Sequence, residues 1–267
     1  MINTNTALIA GDGSLPLILA QRLNDSGILS LVIVLQGNTE RFGFIQKNIF
    51  ESAPGKIKNI INILKKHEIK NLIMIGKIDK NAFLERKGFD LKALKLLKSI
   101  KNGNDMSIFY AVERELKNIG VEILPQDLYL KDLLVKKGAI TGKKPSKKDM
   151  LDAQFGLKYA KQIASMDIGQ AVVVKNQVIT AVEAVEGSDE TIRRGAGLAK
   201  TGSVVCKAAR AKQDKRFDIP AVGLDTIKLM FECKCSLLAL EADSIFIVNP
   251  KEVIDYANSK KISIIGI

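Results

Sequence analysis

The sequence predicts an α/β protein of two domains, and three observations carry that prediction. The 267 residues are 46% hydrophobic, enough apolar material for two cores of modest size. Through the first half, short apolar bursts alternate with stretches whose apolar residues recur every three or four positions. A lysine-rich segment with Gly138, Gly142 and Pro145, KKGAITGKKPSKK at 136–148, then separates this regular half from a second half of different pattern.

In the first half, ALIA at 7–10, LVIVL at 31–35, NLIMIG at 71–76 and VEIL at 121–124 read as buried parallel strands. Helical patterns fill the intervals at 15–24, 57–66, 91–101 and 107–118. Alternation of this kind implies a doubly wound, Rossmann-like parallel sheet over residues 1–135. Residues 136–148 read as a basic linker, and 149–267 as a mixed α/β domain. That domain opens with a helix at 148–165. The run AVVVKNQVITAVEAVEG follows as a hairpin turning at Asn176-Gln177, with strand-forming residues on both arms. A helix at 190–199, a strand at 203–207 and a polar loop to Val222 come next. A helix at 225–233, strands at 237–240 and 245–248, a helix after Pro250 and a terminal strand at 263–267 complete the chain.

Composition excludes several classes of function. With 20 Gly and 6 Pro the chain is neither collagen-like nor low-complexity. Cys206, Cys233 and Cys235 form no C-x-x-C pair, so they read as packing residues of a reduced, cytoplasmic protein. No apolar run reaches the length of a bilayer-spanning helix, and MINTNTALIAGDG lacks the basic and apolar regions of a signal peptide. The single histidine, His67 in KKHEIK, reads as a solvated residue at a helix end. One histidine argues against His-rich phosphoesterases, Ser-His-Asp hydrolases and zinc enzymes. Acid-base or metal work must then fall to other side chains. The net charge of +12 invites a nucleic-acid reading, but six lysines of 136–148 supply much of it. No helix-turn-helix, zinc finger or RNP-like aromatic strand accompanies that charge, so a nucleic-acid partner is not expected.

Three stretches have the residue types that chemistry needs. In ALIAGDGSLP, a strand runs into a glycine loop and then a helix. Gly11 and Gly13 allow a ligand to approach the backbone, and the helix start presents free N–H groups to a phosphate. A tight turn without a ligand is the alternative. Leu15 and Pro16 stand where the dinucleotide fingerprint needs its third glycine, and LVIVLQG ends in Gln36 where a ribose-binding acid would stand, which argues against a nicotinamide enzyme. In AVEAVEGSD, Glu183 interrupts an apolar strand, on the face of Val185 and opposite Glu186. A carboxylate there needs an ion pair or a site to serve. Ser188, Asp189 and Glu190 read as a helix start, with Arg193 and Arg194 in its first turn. In KQDKRFDIPAVGLDT, Asp214, Asp218 and Asp225 lie close in sequence to Arg216 and Lys207. That mixture suits an oxygen-ligated divalent cation beside a bound phosphate. The alternative is a solvated loop in which Asp225 caps the next helix.

Taken together, IAGDGSLP, DIGQAVVVKNQVITAVEAVEGSDETIRR, and QDKRFDIPAVGLDT followed by LLALEAD resemble the LpxI family of UDP-2,3-diacylglucosamine pyrophosphatases. The resemblance runs nearly the whole length, in the same order, and is densest from Asp167 to Asp243. It implies hydrolysis of UDP-2,3-diacylglucosamine to 2,3-diacylglucosamine 1-phosphate (lipid X) and UMP in lipid A synthesis. It also implies a magnesium requirement, two domains with the lipid held between them, and transient contact with the inner membrane surface. A homodimer is left open. Matched position by position, the acid before Thr226 in the D-x-P-x-x-G-x-x-T pattern is Asp225, the first choice for catalysis. Asp214, Asp218 and Glu183 join it as catalytic candidates, with Asp225 and Asp214 as metal ligands. Substrate contacts are expected from Gly11, Asp12, Gly13, Ser14 and Leu15 in the first domain. In the second they are expected from Gln170, Glu186, Gly187, Asp189 and Arg193, and from Lys207, Arg216 and Thr226. The chain departs from the family where Ala211-Lys212 replaces Lys-Pro and where Asn104-Asp105 replaces a paired Asp.

Cleaving a pyrophosphate requires charge neutralisation on phosphoryl oxygens and an aligned water. On this reading Asp225, with Asp214 or Asp218, binds Mg2+ or orients water, while Arg216 and Lys207 hold phosphate oxygens. The lysine segment is either a solvated hinge or the site of attachment to an anionic bilayer. The competing reading of the whole chain is a non-catalytic nucleotide- or lipid-binding module whose carboxylates are ion pairs.

Overall fold

The computed structural model describes residues 5–35, 38–78, 88–99, 105–211 and 213–267. Gln36, the end of the helix expected at 91–101, and the departures at Asn104 and Lys212 lie outside the described residues. The described chain divides into two units. One is Met1–Leu130 with Lys215–Asp218; the other is Lys131–Asp214 with Ile219–Ile267.

The first unit is a five-stranded parallel sheet. Its strands are β1 (Thr6–Ala10), β2 (Leu29–Val34), β3 (Asn48–Glu51), β4 (Asn71–Ile75) and β5 (Glu122–Ile123), in the order β3-β2-β1-β4-β5. All five residues of β1 are buried, as a central strand covered on both faces requires. Helix α1 (Leu15–Asp25) packs on β1 and β2 through Leu15, Leu19 and Leu23, spaced four apart along one face. Helix α2 (Ile57–Lys66) presents Ile57, Ile60, Ile61 and Leu64, the stripe expected from a 3.6-residue repeat. These residues join Ala7, Ile9, Leu31 and Ile33, together with Phe109 and Leu116 of α4 (Asp105–Lys117), in one core. Helix α3 (Leu91–Ser99) packs beside α2 and α4. The chain reaches β3 on one side of β1 and then crosses to β4 on the other. The carboxyl ends of β1 and β4 therefore form the switch point at which such sheets bind ligands.

The second unit is a mixed six-stranded sheet, with strands β6 (Gly138–Ala139), β7 (Ala171–Lys175), β8 (Val178–Val182), β9 (Val204–Lys207), β11 (Leu237–Leu240) and β13 (Ser263–Gly266). The order is β6-β13-β11-β9-β7-β8. The strands β9, β11 and β13 are parallel, while β6 and β7 run antiparallel to their neighbours. Two short strands, β10 (Ala221–Val222) and β12 (Phe246–Ile247), form a separate parallel pair. The period of two sorts the side chains. Val172, Val174 and Cys206 face α5 (Lys147–Ser165), whereas Val173 and Val205 face α6 (Ser188–Ala199), α7 (Leu224–Glu232) and α8 (Pro250–Ser259). Gly156 and Gly195 let helices approach closely, since a Cβ would sit 2.4 Å from Cys206 Sγ and 2.5 Å from Val173 Cβ respectively. The architecture is the α/β fold expected, a parallel Rossmann-like sheet followed by a mixed one. Segment 136–148 lies in the second unit and contributes β6 to its sheet. Among the described residues, no helix is long and apolar enough to cross a membrane.

Candidate active site

At the switch point of the first unit, Gly11 packs on the chain that leaves β4. Its N–H donates to Ile75 O at 2.8 Å, and Asp12 and Lys77 exchange backbone hydrogen bonds of 2.8 and 2.9 Å. A Cβ on Gly11 would lie 2.4 Å from Lys77 O, and one on Gly76 would lie 2.7 Å from both the Gly11 carbonyl carbon and Pro16. The glycine that the sequence offered to a ligand is thus used for backbone-to-backbone packing. Gly13 is different: its φ of +102° requires glycine, and among the described residues nothing stands within 4 Å of its missing side chain. Ser14 holds the N-cap position of α1 with no side-chain capping bond among the described residues, and Leu15 is buried beneath. Arg41, 28 residues away, donates to Asp12 Oδ1 at 3.1 Å and to Gly13 O at 2.9 Å. Only a long-range contact makes Arg41 part of this loop, and no local signal marks it.

In the second unit Glu183 follows β8 and Lys207 ends β9, and Lys207 also reaches Ala221 at the start of β10. Strand β8 stops at Val182, so Glu183 begins a turn rather than interrupting a strand. The alternation that would align it with Val185 and oppose it to Glu186 does not extend that far; Val185 is 80% exposed. Half-buried Glu183 is satisfied by hydrogen bonds: Gln170 N–H donates to Oε2 at 3.0 Å and Ser188 Oγ donates to Oε1 at 2.9 Å. Lys207 Nζ donates to Ser188 Oγ at 3.1 Å and to Ala221 O at 3.2 Å. Ser188 is not the helix cap that the sequence suggests, because Gly187 holds the N-cap position at φ +84° and the serine hydroxyl bridges Glu183 to Lys207 instead.

Glu186 accepts from Arg194 at 2.7 Å and from Thr191 Oγ1 at 3.3 Å. Its own backbone amide, followed by the Arg194 guanidinium, holds its carboxyl below the usual carboxylate range. Asp189 is exposed in the first turn of α6, and Arg193 pairs with exposed Glu190 at 2.7 Å. Glu241, which follows β11, accepts from Ala209 N–H at 2.9 Å and pairs with Lys161 at 2.9 Å, fixing the chain after β9. Its presence in LLALEAD was the available signal.

Asp225 lies one residue inside α7, whose N-cap is Gly223, so it does not cap the helix. Its side chain is 98% exposed and stands 3.8 Å from Lys228, and Thr226 follows half-buried. Asp214 is half-buried in the second unit. The next four residues belong to the first unit. There Lys215 pairs with buried Asp127 at 2.7 Å, and Arg216 pairs with Glu113 while lying 5.6 Å over the Phe109 ring. Phe217 stacks on Phe109 at 4.9 Å, and Asp218 is exposed at φ +51°. Arg216, expected on a phosphate, therefore has Glu113 as its partner in this structure. Burial acts to raise the Glu113 pKa, but Lys117 and Arg216 outweigh it and hold the carboxyl below its ordinary value.

Among the described residues, no three His, Cys, Asp or Glu side chains come together as a metal site. The cysteines behave as packing residues: burial raises the Cys206 and Cys233 thiols, and pushes Cys235 up to about 11. His67, expected to be solvated, is instead half-buried against Phe50 at 5.2 Å, with a buried Nε2 that has no hydrogen-bond partner among the described residues. Phe50 lies on β3, an element that the sequence pattern did not reveal.

Residues 5–133 match the family model described as the LpxI N-terminal domain, and residues 136–265 match that of the LpxI C-terminal domain. A relative from Caulobacter vibrioides, named UDP-2,3-diacylglucosamine pyrophosphatase LpxI, is 26% identical over 276 aligned residues, covering 97% of this chain and 96% of its own. Both domain models match in sequence order, and together they span both sheets and the three motif stretches. On that ground the chain belongs to the LpxI family.

Proposed function

We propose that the chain hydrolyses the pyrophosphate of UDP-2,3-diacylglucosamine, giving 2,3-diacylglucosamine 1-phosphate and UMP. The observation that carries this reading is the near full-length similarity to a relative named for that activity. The second unit supplies chemistry that suits it. Lys207, fixed at the end of β9, brings a positive charge for phosphoryl oxygens, and Asp225 offers an exposed carboxylate to orient water. Glu183 has both oxygens engaged, so its part is to hold Ser188 and the Gln170 amide.

Magnesium belongs to the proposal through the resemblance. When bound, it would neutralise charge on the phosphoryl oxygens. Such ions are commonly held by one or two carboxylates and the substrate's own phosphates, and Asp225 and Asp214 are the candidates. Transient association with an anionic membrane surface through lysines of 136–148 completes the reading.

The test is release of UMP from UDP-2,3-diacylglucosamine in detergent micelles, with Mg2+ and then with EDTA. Release that EDTA abolishes supports the reading. Folded protein that releases no UMP under either condition would favour the non-catalytic binding module, in which the satisfied bonds of Glu183 and Glu186 are purely structural. Asp225→Asn should retain substrate binding and lose at least about 100-fold in kcat. Since Asp225 is almost wholly exposed, its stability should stay within about 0.5 kcal/mol of the parent. Normal turnover in that variant removes Asp225 from the mechanism.

A further inference from the structure

The geometry points to Ser188 as a positioning residue that links the Glu183 carboxylate to the Lys207 ammonium, an inference that rests on the pyrophosphatase reading above. Two strand ends meet at this hydroxyl, and Lys207 ties a third to them. Glu183 follows β8, Lys207 ends β9, and Ala221, whose carbonyl also accepts from Lys207, opens β10. Ser188 Oγ donates to Glu183 Oε1 at 2.9 Å and accepts from Lys207 Nζ at 3.1 Å, so its single proton is directed to the carboxylate and its lone pair to the ammonium. The carboxylate is itself oriented by the Gln170 N–H at 3.0 Å, and the Gln170 carbonyl accepts from Ala208, the residue after Lys207. The result is a closed circuit in which backbone and side chains fix the same lysine.

Two consequences follow. A lysine stem is flexible, and an ammonium tied at two acceptors is already placed before a phosphoryl group arrives. The Ala221 carbonyl belongs to the strand that leads through Gly223 into α7, so the position of Lys207 is referred to the helix that carries Asp225. Ser188 need touch no substrate to affect turnover. Its hydroxyl acts through Lys207, and an alanine there leaves both the carboxylate and the ammonium short of a partner.

The experiment compares Ser188→Ala and Ser188→Thr by two readouts. The first is steady-state UMP release. The second is acetylation of Lys207 by acetic anhydride at low conversion, at a single pH, quantified by peptide mass spectrometry. Lys175, whose Nζ donates to Gly202 O at 2.8 Å, serves as the internal reference. For Ser188→Ala the expected result is kcat lowered about ten-fold with KM within about two-fold, and Lys207 acetylated about five-fold faster relative to Lys175. Ser188→Thr, which keeps the hydroxyl, should recover most of both. If Ser188→Ala does not fold, Glu183→Gln should raise Lys207 acetylation in the same direction. Unchanged Lys207 reactivity in folded Ser188→Ala overturns the inference, whatever its turnover. If the parent protein releases no UMP, the pyrophosphatase reading fails, and the acetylation result alone decides the link between Ser188 and Lys207.

Discussion

Glu113 shows how one side chain can set the response of a unit to pH. It is buried, yet Lys117 and Arg216 keep its folded-state pKa below the ordinary value of 4.5. A depressed pKa means that the stabilisation is fully present above about pH 4.5 and is lost as pH falls through the lower folded value. Glu113→Gln should therefore lower stability at pH 7 by about 1–3 kcal/mol while flattening the loss between neutral and acid pH. Urea denaturation of the two proteins at pH 7 and pH 4 measures this; parallel acid limbs would exclude Glu113 as their cause. The sequence made Arg216 legible as a candidate but not its partner, because Glu113 lies 103 residues away. Ser188 was legible as a helix start, and its bridging role was not, for the same reason: Lys207 reaches it only once β8 and β9 are aligned in one sheet.

Secondary elements were legible where a period had room to express itself. Strands β1, β4 and β11 and helices α1, α2 and α7 fall where the apolar pattern put them, within one or two residues. Strand β3 was missed because NIFE, at the sheet edge, carries two apolar residues between exposed polar ends. The two-residue strands β6 and β10 are too short for any alternation. The hairpin turn fell where expected, at Asn176 and Gln177, with φ of 54° and 56°. What the sequence did not show is its support, since buried Asp152 of α5 accepts from both turn amides at 2.9 and 2.6 Å. Asp152→Ala should destabilise the protein by about 2–4 kcal/mol, whereas Gln177→Gly, which relieves a left-handed residue, should stabilise it by up to about 1 kcal/mol. Hydrogen exchange at the two turn amides would check both. In the first unit, Gly76→Ala meets backbone at 2.7 Å as well as a φ of +107°. It should cost more than Gly13→Ala, which among the described residues faces only the strain of φ, about 1–3 kcal/mol. Denaturant midpoints that rank these two variants equally would contradict the packing described at the switch point.

For the whole molecule, the division into units does not follow the order of the chain. Met1–Leu130 is completed by Lys215–Asp218, which lies beyond more than half of the second unit's sheet. Phe217→Ala should therefore destabilise the first unit, removing a ring that packs on Phe109, by about 2 kcal/mol. Exchange protection of amides in β1 and β4 would report the loss, and an effect confined to β9 or β11 would contradict it. The feature also bears on synthesis. As the chain leaves the ribosome at roughly 5–20 residues per second, the first sheet is fully made well before Lys215 emerges. Until then Asp127 lacks its lysine, Glu113 lacks its arginine and Phe109 lacks its stacked ring. The nascent first unit must wait several seconds in this incomplete state, and a ribosome stalled between residues 131 and 214 would leave it held there.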